Sequence, residues 1–437
     1  MASEKKLGRL GLLVGGGPAP GINGVISSAT IEAINQGYEV IGFRDGYKWI
    51  SQGDADHILP LTINGVTGVH LRGGSILGTS RANPTKSEEQ MRNVLAVFKR
   101  LGVNALVSIG GDDTAYSASQ VYRCAAGAIR VAHVPKTIDN DLPLPGSTPT
   151  FGFETARHLG VAIVRNLVED AKTTSRWYLI ISMGRAAGHL ALGIGKAAAV
   201  TLTIIPEEFK NRSVSFEELS DIIIGSIIKR QSEGSRYGVV VLAEGLIEAI
   251  GEKALLAAVN SGQLGRYGQV TRDEHGHLRL GEVEFGRMIK DILLARLEAV
   301  GIKGALIDKD LGYELRSADP IPFDAEYTRD LGYGAVKFIN SDAASKYGAI
   351  ISFVGGRMQP LPFDEMIDPH TKRMQVRKVN VDAEAYDCAR RYMIRLERKD
   401  FEDAEQLAAL AKVVKMTPEQ FRGRFGYVVG LGAKYGS

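Results

Sequence analysis

Short apolar runs alternate with stretches of helical periodicity along nearly the whole chain. "RLGLLV" (9–14), "NALVSIG" (104–110), "IRVAHVP" (129–135), "WYLIIS" (177–182), "TLTIIP" (201–206), "YGVVVLA" (237–243) and "AIISFVG" (349–355) have the length and β-branched content of buried strands. Between them, "NGVISSATIEAINQ" (23–36) predicts a helix stopped by Gly37. "SEEQMRNVLAVFKRL" (87–101) opens on Ser87 with Gln90 at capping-box spacing and ends before Gly102, and "YSASQVYRCAA" (116–126) predicts a third helix. A helix starting at Ser215 has Glu218 at the same spacing. Strands that alternate with helices predict an α/β protein with parallel sheets covered on both faces. In such sheets ligands bind beyond the carboxyl ends of the strands, so the loops that follow strands carry the interest. Residues 262–282 are the least patterned and read as surface, and the last 40 residues (398–437) read as helical and packed back on the body.

Bulk properties narrow the class. A chain of 437 residues predicts two or three domains. With 53 basic and 50 acidic side chains the net charge is +3, too balanced to favour nucleic acid or an anionic membrane. Only Cys124 and Cys388 are present, far apart, which argues against a disulfide framework and a zinc site. The start "MASEKKLGRLGLLVGGG" runs from a short apolar stretch straight into glycines, so it reads as a first strand and not a signal peptide. No run long enough to span a membrane occurs, and the default expectation is a cytoplasmic protein.

Four loops after strands carry candidate chemistry. "GGGPAPGIN" (15–23) has outer glycines Gly16 and Gly21 at Walker spacing, but Ile22 and Asn23 stand where a Walker A loop needs Lys-Ser/Thr. It suits an anion at a helix N-terminus, or a tight turn and nothing more. "GGDDT" (110–114) puts two acids in a phosphate-type loop, which makes sense if one holds a divalent cation: Mg2+ takes one or two carboxylates plus substrate phosphate oxygens. The other acid reads equally as a first-turn helix residue favoured by the macrodipole. "PKTIDND" (135–141) combines Lys136 with Asp139 and Asp141, a set suited to phosphoryl transfer in which an Asp takes a hydroxyl proton. The bland alternative is an Asx-rich turn. In "MGRAAGH" (183–189), Arg185 suits a sugar phosphate, or is a solvated arginine.

Taken in order with "GGSILGTSR" (73–81), "AEG" (243–245) and "LGYELR" (311–316), these motifs resemble the phosphofructokinase family, and the resemblance runs from residue 9 to the 350s. It implies two Rossmann-like three-layer α/β domains with mainly parallel sheets and an active site in the cleft between them. It also implies Mg2+-dependent transfer of a phosphoryl group to the 1-hydroxyl of fructose 6-phosphate, a step of glycolysis and gluconeogenesis. The domains implied are residues 1–152 with about 315–375 for the phosphate donor, and 153–314 with about 376–437 for fructose 6-phosphate. By resemblance Asp139 is the general base, Thr137 and Asp141 flank it, and Asp112 is the acid associated with Mg2+. Arg81 matches an arginine on the donor side and Gly16 the backbone near the transferred group. On the sugar side the matches are Met183, Gly184, Arg185, Glu244, Tyr313 and Arg316, and Arg176 matches an arginine that reaches a neighbouring subunit's sugar phosphate. The last match implies at least a homodimer, or a tetramer, with shared sites.

The second acid separates branches of the family. ATP-dependent members carry GGDG and a glycine before T-I-D-N-D; this chain has Asp113 and Lys136 there, the pair that marks the pyrophosphate-dependent branch. Asp113 would fill the volume of an α-phosphate and repel it, and Lys136 offers positive charge to a shorter donor. Tyr313, in place of the bacterial ATP-type histidine, is also similar to that branch. "RKVN" (377–380) and "RRYMIRLERKD" (390–400) read as basic groups on a solvated helix face. Three other readings stay open at this point: an ATP-dependent enzyme that tolerates Asp113, a silent sugar-phosphate-binding regulatory subunit, and another kinase of the GGD type.

Overall fold

The computed structural model describes residues 7–209, 212–261, 283–368 and 374–431. The unpatterned stretch 262–282 lies outside the described residues. Two compact units emerge: among described residues the first holds 7–159 and 313–377, and the second holds 160–261, 283–312 and 378–431.

The first unit is built on strands β1 (Gly8–Val14), β2 (Tyr38–Phe43), β3 (Ile58–Leu61), β4 (Val103–Gly110), β5 (Arg130–Thr137) and β6 (Phe151–Gly152). Beyond the second unit's β7 (Trp177–Ser182), β8 (Leu202–Ile204), β9 (Gly238–Ala243) and β10 (Leu306–Leu311), the chain returns to it with β11 (Ala349–Val354) and β12 (Arg357–Pro362). Its sheet has the order β12-β11-β5-β4-β1-β2-β3, with β6 beside β5. All pairings are parallel except those of β2 with β3 and of β11 with β12. Successive residues point to opposite faces of a strand, and both faces are packed. Leu10, Leu12, Val14, Val107 and Ile109 join a core with Ile22, Val25 and Leu331 from two helices. Leu13, Leu106 and Val131 join another with Met91, Val94 and Phe98 on the helix Glu88–Arg100. Burial on both faces is why these strands read as continuous apolar runs.

The second unit carries a four-stranded parallel sheet, β10-β7-β9-β8. Trp177, Leu179 and Ile181 of β7 pack on Ile223 and Ile227 from the helix Phe216–Ser232 and Met288 and Leu293 from Phe285–Ala299. The C-terminal segment is helical, at Arg398–Glu402, Ala404–Val413 and Pro418–Phe425, and its Phe401, Leu410, Phe421 and Phe425 complete the same core. As expected, Ser87 Oγ accepts the Gln90 amide and Ser215 Oγ the Glu218 amide. The Glu218 carboxylate is engaged by Arg212 at 2.6 and 2.8 Å. No described helix is long and apolar enough to cross a membrane.

Candidate active site

In the first unit the strand order reverses at the β1/β4 boundary, because β2 lies on one side of β1 and β4 on the other. Such a switch point leaves a crevice at the carboxyl ends of the strands. The registers pair Val14 with Ile109 and Gly110 with Pro135, so Gly15 and Gly111, where the chain leaves β1 and β4, stand beside Lys136 near the end of β5. Their backbones are about 4.8 Å apart.

The glycine loop is held open from below. Gly16 has φ +82°, a left-handed conformation that favours glycine. Its amide donates to the Ser80 carbonyl at 2.9 Å, and Thr79 Oγ1 donates to the Gly16 carbonyl at 2.6 Å. Exposed Arg81 follows directly. Lys136 is only 5% exposed, and its ammonium donates to the Gly17 carbonyl. The Arg316 guanidinium occupies the space a side chain at residue 17 would need, 1.8 Å from the position of a Cβ there. Tyr313, 67% exposed, stacks its ring 5.2 Å from that guanidinium. Tyr313 and Arg316 therefore sit in the first unit, with Arg316 against the glycine loop.

Asp112 and Asp113 are partly exposed and are the first two residues of the helix Asp112–Ala125, which starts four residues before the predicted 116. Gly111 is its N-cap and offers no side chain, so the two acids are what faces the positive end of the macrodipole. Under this loop lies a residue the sequence reading passed over. His133 is completely buried, with Nε2 3.0 Å from the Gly110 carbonyl and Nδ1 3.3 Å from Ser108 Oγ. Burial, against the pull of the Gly110 carbonyl and helped by nearby Lys136, lowers its pKa to about 3, so the ring is neutral.

The loop after β5 turns sharply. Thr137, Asp139 and Asp141 are 9%, 8% and 8% exposed. Thr137 Oγ1 accepts the Asp139 amide at 2.9 Å. Asn140 has φ +56°, which Asn tolerates better than most residues. Thr150 closes the loop through its amide to Asn140 Oδ1 (3.1 Å) and its hydroxyl to the Thr137 carbonyl (2.8 Å). Arg377 adds its amide to the Asp141 carbonyl (2.6 Å), Nε to the Asn140 carbonyl (3.1 Å), Nη1 to the Thr148 carbonyl (3.1 Å), and Nη2 to Asn140 Oδ1. Residues 375–380 are irregular, not helical, so the solvated helix face expected there is replaced by a side chain tied into this loop. Arg395 departs from the same expectation: it is 7% exposed and pairs with Glu208 at 2.6 Å.

The second unit brings together its own set at the ends of β7, β9 and β10. The Met183 amide donates to the Leu311 carbonyl at 2.9 Å. Glu244 Oε2 accepts the amides of Gly184 (3.2 Å) and Arg185 (3.3 Å). Arg185 has φ +47°, and its carbonyl comes within 2.3 Å of where a Cβ on Gly245 would stand, so residue 245 must be glycine for this turn. Glu207 also went unnoticed in the sequence: only 8% exposed, it accepts the amides of Gly188 (2.9 Å) and Val379 (3.0 Å) at Oε1 and ends the 183–188 loop. Arg176 precedes β7, at the opposite strand end from Met183. Seven residues at about 3.3 Å each put roughly 23 Å between them.

Among the described residues no group of three or more His, Cys, Asp or Glu side chains could hold a metal. Asp112, at the mouth of the switch point, fits an ion that takes one or two carboxylates and completes its shell with phosphate oxygens and water.

The sequence profile described as Phosphofructokinase matches residues 9–339. A pyrophosphate–fructose 6-phosphate 1-phosphotransferase of Thermotoga maritima is 52% identical over 423 residues, which cover 97% of this chain and 99% of that protein. A protein of the same name from Naegleria fowleri is 48% identical over 436 residues, 98% of each. Among solved structures, that of a pyrophosphate-dependent phosphofructokinase from Marinobacter aquaeolei is similar with a TM-score of 0.63 at 17% identity, covering 93% of this chain and 91% of that one. This last likeness is one of fold.

Proposed function

The chain belongs to the phosphofructokinase family, and from that premise we propose that it transfers a phosphoryl group reversibly from pyrophosphate to the 1-hydroxyl of D-fructose 6-phosphate, giving fructose 1,6-bisphosphate and phosphate. The observation that carries the choice of donor is the pair Asp113 and Lys136, one in the helix that follows β4 and the other near the carboxyl end of the neighbouring β5. Lys136 is buried beneath the glycine loop, and Asp113 is in the first turn of the neighbouring helix. A carboxylate where an α-phosphate would lie repels it by about 4 kcal/mol at 4 Å and an effective dielectric of 20. That weakens nucleotide binding nearly a thousandfold. The two relatives near 50% identity carry pyrophosphate in their names, in agreement.

The first unit binds the donor and the second the sugar phosphate. Arg81, Lys136 and the Gly16 backbone hold pyrophosphate, while Arg316, a match of the sugar side, packs against Gly17. Asp112 holds Mg2+, which neutralises the phosphate oxygens when bound. Met183, Gly184, Arg185 and Glu244 form the sugar side, with Tyr313. Asp139 accepts the proton of the 1-hydroxyl as the new O–P bond forms. The bond from the transferred phosphorus to the bridging oxygen breaks, and phosphate leaves with that electron pair. Thr137 and Asp141 flank the base. Arg176 serves the site of a second copy, so the working protein is at least a homodimer.

Donor selectivity tests the reading. With pyrophosphate and ATP compared on wild type and Asp113→Gly, the substitution should raise kcat/KM for ATP at least tenfold, as removal of a close repulsion implies. Lys136→Gly should mainly weaken pyrophosphate use. An unchanged donor ratio in Asp113→Gly, with only a lower melting temperature, would reduce Asp113 to a helix-terminus acid.

A further inference from the structure

We propose that Arg377 is a positioning residue that fixes the carboxylates of Asp139 and Asp141, an inference that rests on the functional reading above. Asp139 and Asp141 flank Asn140, and the orientation of both depends on the backbone between residues 139 and 141. Asn140 is left-handed, at φ +56°, and Thr137 and Thr150 fix the Asp139 amide and the Asn140 side chain but not the carbonyls of residues 140 and 141. The Arg377 guanidinium meets it at two acceptors, the carbonyl and the side-chain oxygen of Asn140, while the Arg377 amide donates to the Asp141 carbonyl. A fourth bond, to the Thr148 carbonyl, ties in the next turn.

The guanidinium suits the task because its planar fork donates in several fixed directions at once, which an ammonium cannot do. Burial lowers the pKa of Arg377 from its ordinary range, and the nearby Asp141 charge opposes that. The arginine is itself anchored: Met374 bridges Ile367, and the Gln375 amide donates to the Met366 carbonyl at 2.9 Å. Arg377 thus holds a loop 237 residues away in sequence, and it does so through main chain and Asn140.

The test compares wild type with Arg377→Ala and Arg377→Lys in the full chain, reading kcat, both KM values and melting temperature. Arg377→Ala should lower kcat about a hundredfold, the scale of a misplacement near 1 Å, with both KM values within a few-fold of wild type. Arg377→Lys, which keeps charge but not the fork, should recover only part of the loss. Wild-type kcat in a folded Arg377→Ala protein overturns the proposal, as does a loss confined to KM for fructose 6-phosphate, which would make Arg377 a substrate ligand. If Arg377→Ala does not fold, Arg377→Lys decides alone: kcat down tenfold or more at unchanged KM supports it, and wild-type kcat overturns it. Failure of the functional reading looks different, because the wild type itself would then not turn over pyrophosphate.

Discussion

Single side chains divide into those the sequence announces and those only the fold reveals. Asp112, Asp113, Lys136, Asp139 and Arg185 stand out because charged residues directly after apolar runs are placed beyond strand ends. Arg377 does not stand out, because its partners are residues 140, 141 and 148 and no local pattern connects them. His133 left a fainter signal, one titratable residue inside an apolar strand. Two predictions belong at this scale. On the proposed reading Asp139→Ser removes the base, so it should lower kcat by a factor of about 10²–10⁴, typical of lost acid–base catalysis, with little change in KM for fructose 6-phosphate. Near wild-type turnover would remove Asp139 from the mechanism. The second concerns acid stability. The pKa of His133 is about 3 in the folded chain against an ordinary 6.5. Between these values the unfolded chain takes up a proton that the folded one refuses. The stability associated with neutral His133 is therefore complete above pH 6.5 and is lost as pH falls toward 3. In His133→Gln, stability should fall less steeply with acid, by about 1.4 kcal/mol per pH unit in that window. Melting series of both proteins at pH 7 and pH 5 measure the difference, and parallel curves would contradict it.

Elements follow a similar division. Strands buried on both faces were legible as apolar runs, and the Gly37 and Gly102 helix stops stand where expected, at φ +95° and +69°. The strand β10, "LIDKDL", was not legible: it carries three charges in six residues and, among the described residues, is an edge strand bonded to β7. The helix after β4 was expected to start only at 116, although one of the acids Asp112 and Asp113 already read as a first-turn residue, and both lie in the first helical turn, where acids are favoured. The C-terminal helices were legible as helices, but what holds them was not. Asp221, fully buried on the helix Phe216–Ser232, receives Arg296 at 2.6 Å, Arg424 at 2.6 and 2.9 Å, and the Tyr427 hydroxyl at 2.5 Å. Breaking such a cluster from one side leaves charges without their counter-ion. Asp221→Asn should destabilise the second unit by about 3 kcal/mol and expose residues near 424–427 to proteolysis. An unchanged melting temperature with an intact C-terminus would show that apolar packing of Phe421 and Phe425 suffices.

At the scale of the whole molecule the question is how many chains one site needs. Met183 and Arg185 follow β7, and Arg176 precedes it. A strand is rigid, so in one chain the guanidinium and the 183–185 loop stand at opposite ends, roughly 23 Å apart along the backbone at 3.3 Å per residue. On the reading proposed above, Arg176 serves the sugar phosphate of a partner copy and not the loop of its own chain. Arg176→Ala should then raise KM for fructose 6-phosphate well above any change in KM for pyrophosphate, because on that reading it meets only the sugar phosphate. Mixing supplies the decisive form of the experiment. Asp139→Ser chains lack the base but keep Arg176, and Arg176→Ala chains keep the base. In a mixed dimer one site combines an intact Asp139 with an intact Arg176 from its neighbour, and the other site lacks both. Random pairing makes half of the dimers mixed, each with one complete site, so about a quarter of wild-type activity should return at low fructose 6-phosphate. Subunit exchange is verified by a size or charge tag on one variant. If tagged mixed dimers form and activity stays at the average of the two parents, each chain completes its own site, and Arg176 has only a structural place at the start of β7.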